Sequence, residues 1–251
     1  MINILIHGAL GRMGKKVLES CLSDSEVKAV CGVDRFEDLT DKDFPVYDGF
    51  DKVTEKVDVV IDFSSPVTLG SVLGFAKKTG AKLVLCTTGY TEDDVKTIKD
   101  ASKDLAIFRS ANMSLGVNVL IDLVKKASKS LLGFDIEIVE KHHNQKVDAP
   151  SGTALMLADA VKSELDEKFY TYGRVGKVGK RDQNEIGIHA VRGGNIVGDH
   201  DVIFAGQNET VTLSHQAFDR SVFAVGAVKA AKYIAKKQTG LYDMQMLVSE
   251  S

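Results

Sequence analysis

The sequence predicts an α/β protein, a doubly wound parallel sheet plus a smaller α+β domain with a mixed sheet. Three observations predict it. From Ile2 to Asn112, strand-like runs alternate with helical patterns, the order that winds helices onto a parallel sheet. Beyond Asn112, strand-like runs follow one another across short turns, which suits a mixed or antiparallel sheet. The pattern at Ser221–Lys237 then returns to helix and is expected to pack back onto the first part. The expected division is residues 1–114 with 218–251 as one domain and 115–217 as the other, with a cleft between them as the default ligand site.

Taken in order, Ile2–His7 reads as a strand, Gly11–Leu22 as a helix, and Val27–Val33 and Val57–Phe63 as strands. Pro66 sits at a first helical position, with Ser64 and Ser65 as capping candidates for a helix to Lys78. Lys82–Cys86 is a strand, Thr91 caps the acidic first turn of a helix to about Lys103, and Leu105–Phe108 is a strand. A long helix spans Leu115–Leu131, Phe134–Glu140 alternates as a strand, and Ser151–Lys168 is helical. Glu185–Val191, Asn195–Ala205 and Glu209–Ala217 are strand-like, separated by Gly-Gly and Gly-Gln-Asn-Glu turns.

Composition narrows the function class. Of 251 residues, 44% are hydrophobic and 27% charged, ample for a core, and the net charge of −3 argues against a nucleic-acid binder. Cys21, Cys31 and Cys86 form no C-x-x-C spacing and leave an odd count, which favours reduced thiols in a cytoplasmic protein. No basic-then-apolar leader precedes the first strand, and no apolar run approaches the ~20 residues that span a bilayer. Arg174, Lys177, Lys180 and Arg181 lie among three glycines and read as a solvated, mobile loop.

Gly8-Ala9-Leu10-Gly11-Arg12-Met13-Gly14 follows the first strand and opens the first helix. Glycines there let the backbone turn tightly and approach a pyrophosphate at the helix N-terminus. Leu10 replaces the middle glycine of the common fingerprint, so the motif alone also reads as a bare turn. Context favours a Rossmann-type dinucleotide site, because Asp34 follows the second strand 20 residues after Gly14, where an acid accepts hydrogen bonds from ribose hydroxyls. Arg35, with Arg12, can pair with a 2′-phosphate, so use of both NADH and NADPH is expected. Cys86-Thr87-Thr88 and Ser110-Ala111-Asn112-Met113 each follow a strand, where ligands of doubly wound sheets lie. Each is also readable as an ordinary strand-to-helix turn.

The segment Glu137–Ala154 gathers His142, His143 and Lys146 ahead of a Pro150-Ser151-Gly152-Thr153 helix start. The histidines admit three readings: a structural pair, a metal site, or acid–base and anion-binding groups. Metal is the weakest, because no ligand set accompanies them and adjacent strand residues face opposite ways. If Ser151 caps the helix, the N–H groups of Gly152 and Thr153 lie at the positive end of its dipole, where a carboxylate fits. Arg192-Gly193-Gly194 reads as a hairpin turn. Arg220 reads equally as a cleft residue or a surface arginine.

The Gly8–Gly14 turn, Thr87-Thr88-Gly89, Asn112 with Gly116-Val117-Asn118, and Glu140-Lys-His-His-x-x-Lys-Val-Asp-Ala-Pro-Ser-Gly-Thr-Ala154 occur in one order. That order resembles the 4-hydroxy-tetrahydrodipicolinate (dihydrodipicolinate) reductases, from first strand to last helix. The resemblance implies a cytoplasmic homotetrameric oxidoreductase. It would reduce a cyclic hydroxy-dicarboxylate with NADH or NADPH and loss of water, without a metal. It implies His142 as acid/base, Lys146 as proton donor, and His143, Gly152 and Thr153 as holders of substrate carboxylates. Gly8 to Met13, Asp34, Cys86 to Thr88 and Ser110 to Met113 would border the cofactor. Cys86 stands where a glycine is common, and Ala111 and Met113 replace a frequent Pro and Phe, which bears on nicotinamide packing and cofactor preference. A different two-domain dinucleotide reductase, or a dinucleotide-binding redox sensor without catalysis, would need the glycine turn but not the His-His-x-x-Lys segment.

Overall fold

A computed structural model describes residues 1–41 and 43–250. The elements run β1 (Ile2–His7), α1 (Arg12–Leu22), β2 (Val27–Val33), β3 (Val46–Tyr47), β4 (Val59–Asp62), α2 (Leu69–Thr79), β5 (Lys82–Leu85), α3 (Glu92–Ala101) and β6 (Ala106–Arg109). They continue with α4 (Leu115–Ser130), β7 (Asp135–His142), α5 (Gly152–Lys162), β8 (Phe169–Tyr172), β9 (Glu185–Arg192), β10 (Gly198–Ala205), β11 (Thr210–Ala217), α6 (Ser221–Ile234), β12 (Gly240–Tyr242) and α7 (Met244–Ser249). The chain divides into two compact units, residues 1–115 with the segment from Arg220 onward, and residues 116–219.

The first unit is built on a seven-stranded sheet, in the order β12-β6-β5-β4-β1-β2-β3. All its strand pairs are parallel. Strands buried on both faces read as unbroken apolar runs, and Ile4-Leu5-Ile6 and Val59-Val60-Ile61 show no exposure at all. Their side chains alternate between two cores. Ile4, Ile6, Val59 and Ile61 pack with α1, α6 and α7, while Leu5 and Val60 pack with α2 and α3. The helix expected to return does so. α6 lies close because it is studded with alanines, and at Gly226 a Cβ would come within 1.7 Å of the Met113 carbonyl oxygen. The strand order reverses between β1 and β4, the switch point where doubly wound sheets open a ligand crevice.

The second unit is a mixed five-stranded sheet, in the order β11-β10-β7-β9-β8. β10 is antiparallel to both β11 and β7, whereas β9 is parallel to β7 and β8. α4 and α5 supply Val117, Leu120, Ile121, Leu157 and Val161 to its core, against Ile136, Ile138, Ile188 and Phe204 from the strands. Along β7 the buried positions are Ile136, Ile138, Glu140 and His142, so a carboxylate and an imidazole share the core face. Among the described residues no helix is long and apolar enough to cross a membrane.

Some elements depart from expectation. Ser64 and Ser65 cap nothing: Pro66–Thr68 forms a 3₁₀ turn ahead of α2, without a side-chain cap, and the Ser64 hydroxyl is drawn to the Asp62 carboxylate instead. α5 ends at Lys162 rather than Lys168, and Phe169–Tyr172 becomes an edge strand, as its aromatic-rich composition favours. The short elements β3, β12 and α7 lie below the length at which hydrophobic periodicity can be read.

Candidate active site

In the first unit the glycine turn is a close-packed piece of backbone. Gly8 has φ +80°, and a Cβ there would lie 2.7 Å from the Phe63 carbonyl oxygen. At Gly14 a Cβ would meet the Gly8 carbonyl oxygen at 2.2 Å. Only glycine permits this fold-back, and the N-cap Gly11 brings no side-chain acceptor to the first turn of α1. The result is a cradle of backbone at a helix N-terminus, which fits an anionic pyrophosphate. Asp34 ties the turn to β2: its Oδ2 accepts the Leu10 N–H at 2.9 Å and its Oδ1 the Arg35 N–H at 2.7 Å.

Two hollows flank this turn. Gly8, Gly11, Asp34 and Arg35 line one of about 680 Å³. Arg12, Met13, Cys86, Thr87, Thr88 and Ser110 to Met113 line another of about 550 Å³, to which Arg220 and Phe223 also contribute. Phe63 and Ser64 border both. Ala9 lines neither and is buried in the core, and Leu10 packs against that core. Arg35 therefore shares the hollow of Asp34, while Arg12 belongs to its neighbour.

Behind the shared wall lies a carboxylate that sequence reasoning missed. Asp62, at the end of β4, is 1% exposed and accepts hydrogen bonds from the hydroxyls of Ser64, Thr87 (2.9 Å) and Tyr90 (3.2 Å). His7 Nδ1 approaches it to 2.8 Å without hydrogen-bond alignment. Burial pushes the Asp62 carboxyl up, but His7 and the hydroxyls outweigh it and hold the group below its ordinary value. Burial raises the Cys86 thiol well above its usual range, with Asp62 adding to the effect, so the thiol stays protonated. Asp62 thus ties the Ser64 and Thr87 segments of the second hollow together. The signal was present in the sequence as an acid at the end of a wholly apolar strand.

In the second unit β7 delivers His142 and the α5 N-terminus delivers Ser151. Ser151 caps α5, its Oγ accepting the Ala154 N–H at 3.2 Å. Fully buried Glu140 accepts the Ser151 N–H (3.0 Å), His142 Nδ1 (2.6 Å) and a bidentate pair from Arg192 (2.7 and 2.8 Å). Burial pushes the Glu140 carboxyl up, and these donors pull it below its ordinary value. His200 meets Ser151 Oγ at 2.9 Å and stands edge-on to His142 with ring centroids 5.2 Å apart. Burial lowers its pKa to about 4, so it is neutral at pH 7. Lys146 pairs with Asp148 at 2.7 Å, and its N–H donates to the His143 carbonyl. No cluster with metal-ligand geometry occurs among the described residues.

Comparison with known proteins matches this chain twice. Residues 2–113 match the family described as dihydrodipicolinate reductase, N-terminus, and residues 116–248 the one described as dihydrodipicolinate reductase, C-terminus. The chain belongs to the dihydrodipicolinate reductase family. It is an oxidoreductase of the diaminopimelate route to lysine. The 4-hydroxy-tetrahydrodipicolinate reductase of Caldanaerobacter subterraneus subsp. tengcongensis is 55% identical over 251 residues, covering 100% of this chain and 99% of that protein. The enzyme of the same name from Clostridium tetani is 48% identical over 99% of this chain and 98% of its own length. In fold the reductase resembles a dipicolinate-bound dihydrodipicolinate reductase from Paenisporosarcina sp. TG-14, with a TM-score of 0.81 at 23% identity over 97% of each chain. A probable dehydrogenase from Thermotoga maritima shares the fold at a TM-score of 0.65 and 12% identity, over 99% of this chain and 93% of its own.

Two readings of the reductase sequence need correction or extension. The basic segment expected to be a solvated, mobile loop is pinned to the sheet by its two arginines, while Lys177 and Lys180 between them are exposed to solvent. Arg174 donates to Glu137 (2.7 and 3.0 Å) and Glu185, and Arg181 donates to Glu137 (3.0 Å) and Asp135 (2.9 Å). Gly187 makes the room, since a Cβ there would fall 1.9 Å from Glu137 Oε2. Arg192, read as part of a hairpin turn, instead clamps Glu140, 52 residues earlier. Glu140 itself was legible as an acid two positions from His142, on the same face of a strand.

Proposed function

We propose that the chain reduces 4-hydroxy-2,3,4,5-tetrahydrodipicolinate to tetrahydrodipicolinate, with loss of water, at a site built from His142, His143, Lys146, Gly152 and Thr153. The observation that carries this reading is the short path from His142 to the α5 N-terminus. One loop gathers an imidazole fixed by a buried carboxylate, an ammonium, and a capped helix start. A ring with two carboxylates suits such a surface, and the Paenisporosarcina relative is a dipicolinate-bound reductase. His143 and the Gly152 and Thr153 N–H groups hold the carboxylates, with the helix dipole favouring negative charge.

The glycine cradle, Asp34, Arg35 and the Arg12 hollow hold a dinucleotide, NADH or NADPH. Bound in reduced form, it supplies the hydride. Asp34 accepts from ribose hydroxyls, Arg35 offers a guanidinium to a 2′-phosphate, and Thr87, Thr88 and Ser110 to Met113 border the nicotinamide. His142 exchanges a proton as water leaves. Lys146 delivers a proton to the carbon left electron-rich after reduction, a task for which a cationic donor is suited. The same family reading makes the protein a cytoplasmic homotetramer, which sedimentation would test.

The direct experiment follows NADPH and, separately, NADH oxidation, with substrate generated in situ from pyruvate and aspartate semialdehyde by the preceding synthase. Absorbance loss that requires every component is expected with both cofactors. Tight dinucleotide binding without oxidation would refute the activity, and oxidation of one cofactor alone would refute dual use.

A further inference from the structure

We infer that Glu140, braced by Arg192, is the positioning residue that keeps the proton of His142 on Nδ1 and leaves Nε2 to exchange protons with substrate. The inference rests on the reading of His142 as an acid–base group. Four donors converge on the Glu140 carboxylate, two at each oxygen. Oε1 receives the Ser151 N–H and Arg192 Nη2, and Oε2 receives Arg192 Nη1 and His142 Nδ1. An ionised carboxylate only accepts. Neutral imidazole carries one N–H, so Nδ1 must be the donor and Nε2 bears the lone pair. Arg192 makes this durable, because its planar fork fixes the carboxylate plane and favours its ionised form.

The surroundings of Nε2 agree. Gly198 stands beside it, and a Cβ there would lie only 3.0 Å away. His200, edge-on to the ring, stays neutral and does not oppose a charge on His142. When Nε2 takes a proton, the imidazolium already faces a full carboxylate, so its charge forms with a partner in place.

The tautomer can be read directly in full-length protein labelled with ¹⁵N-histidine. At alkaline pH the expected His142 signature is a protonated Nδ1 and a bare Nε2; a proton on Nε2 overturns the inference. In Glu140→Gln the amide oxygen keeps the Ser151 N–H and Arg192 Nη2, while its NH₂ takes the place that faces Arg192 Nη1 and His142 Nδ1, which costs one Arg192 hydrogen bond and reverses the tautomer. The expected result is a fall in kcat of ~10²–10⁴-fold, with substrate KM changed less than about threefold. Unchanged kcat per folded molecule, whatever the yield of folded protein, would overturn the inference. His142→Gln separates the two layers. If it keeps full turnover, the acid–base reading of His142 fails and this inference with it. If it is inactive while Glu140→Gln is fully active, only the positioning role of Glu140 fails. Should Glu140→Gln not fold, the spectrum of the unmutated protein decides.

Discussion

Lys146 pairs with Asp148 at 2.7 Å, and its side chain is one-fifth exposed, so it is restrained yet reachable. Lys146→Ala removes the proposed donor without touching the glycine cradle. Turnover should fall by ~10²–10⁴-fold while the dinucleotide dissociation constant, followed by nucleotide fluorescence, stays near its original value; unchanged turnover would refute the role. Gly198→Ala tests the same site from the other side. The added methyl must displace the His142 ring by a few tenths of an ångström, and misplacement on this scale should lower kcat by about tenfold, measurable in the coupled assay with the fold intact. Individual residues of this loop were legible because His142, Lys146, Ser151 and Gly152 are near neighbours in sequence and their chemistry is compatible. The partners that orient them were not. Arg192 reaches Glu140 from another strand, and His200 reaches Ser151 across 49 positions. Nothing in local spacing announces such pairs.

Elements here owe their stability to local devices that can be removed one at a time. Thr91 and Asp94 form a capping box at the start of α3, each side chain accepting the other's backbone N–H. Thr91→Ala should lower stability by about 1 kcal/mol in urea denaturation and leave turnover unchanged, since α3 carries no proposed site residue. α1 offers the contrasting case. Gly14→Ala drives a methyl into the Gly8 and Ala9 carbonyls, at 2.2 and 2.6 Å. Backbone cannot move aside as a flexible side chain would, so the turn must open. Stability should fall by ~1–3 kcal/mol, and dinucleotide affinity should drop with it; calorimetric binding at unchanged strength would show that the cradle holds no pyrophosphate. β1 and β2 were legible to the residue because their sides are fixed by long apolar runs and a glycine turn. The two- and three-residue strands β3 and β12 exist only because neighbouring strands offer open edges, a cause outside their own sequence.

The molecule as a whole should be weakened by acid through its second unit, where ionisable groups are buried in set charge states. His200 is the clearest. Its unfolded value is 6.5 and burial lowers it to about 4 in the fold. Between these limits the unfolded chain takes up a proton that the folded chain refuses, so stability is full above pH ~6.5 and falls as pH drops towards 4, by up to ~3 kcal/mol. Glu137 extends the trend. Burial opposes its ionisation, but Arg174, His189 and Arg181 together bring it from 4.5 to about 2. Its contribution is present above pH 4.5 and is lost as pH falls towards 2, so both groups act in the same direction and their windows join. None of this is visible in a net charge of −3, because it depends on which side chains the sheet hides. Urea midpoints measured from pH 7 to pH 4 should fall steadily for the native chain. His200→Gln, which keeps a polar group near Ser151 but cannot titrate, should start from a lower midpoint at pH 7, through lost packing, and decline less between pH 6.5 and 4. Parallel declines in the two proteins would show that His200 titrates in the fold much as it does in the unfolded chain, and would remove the buried histidine as the source of acid sensitivity.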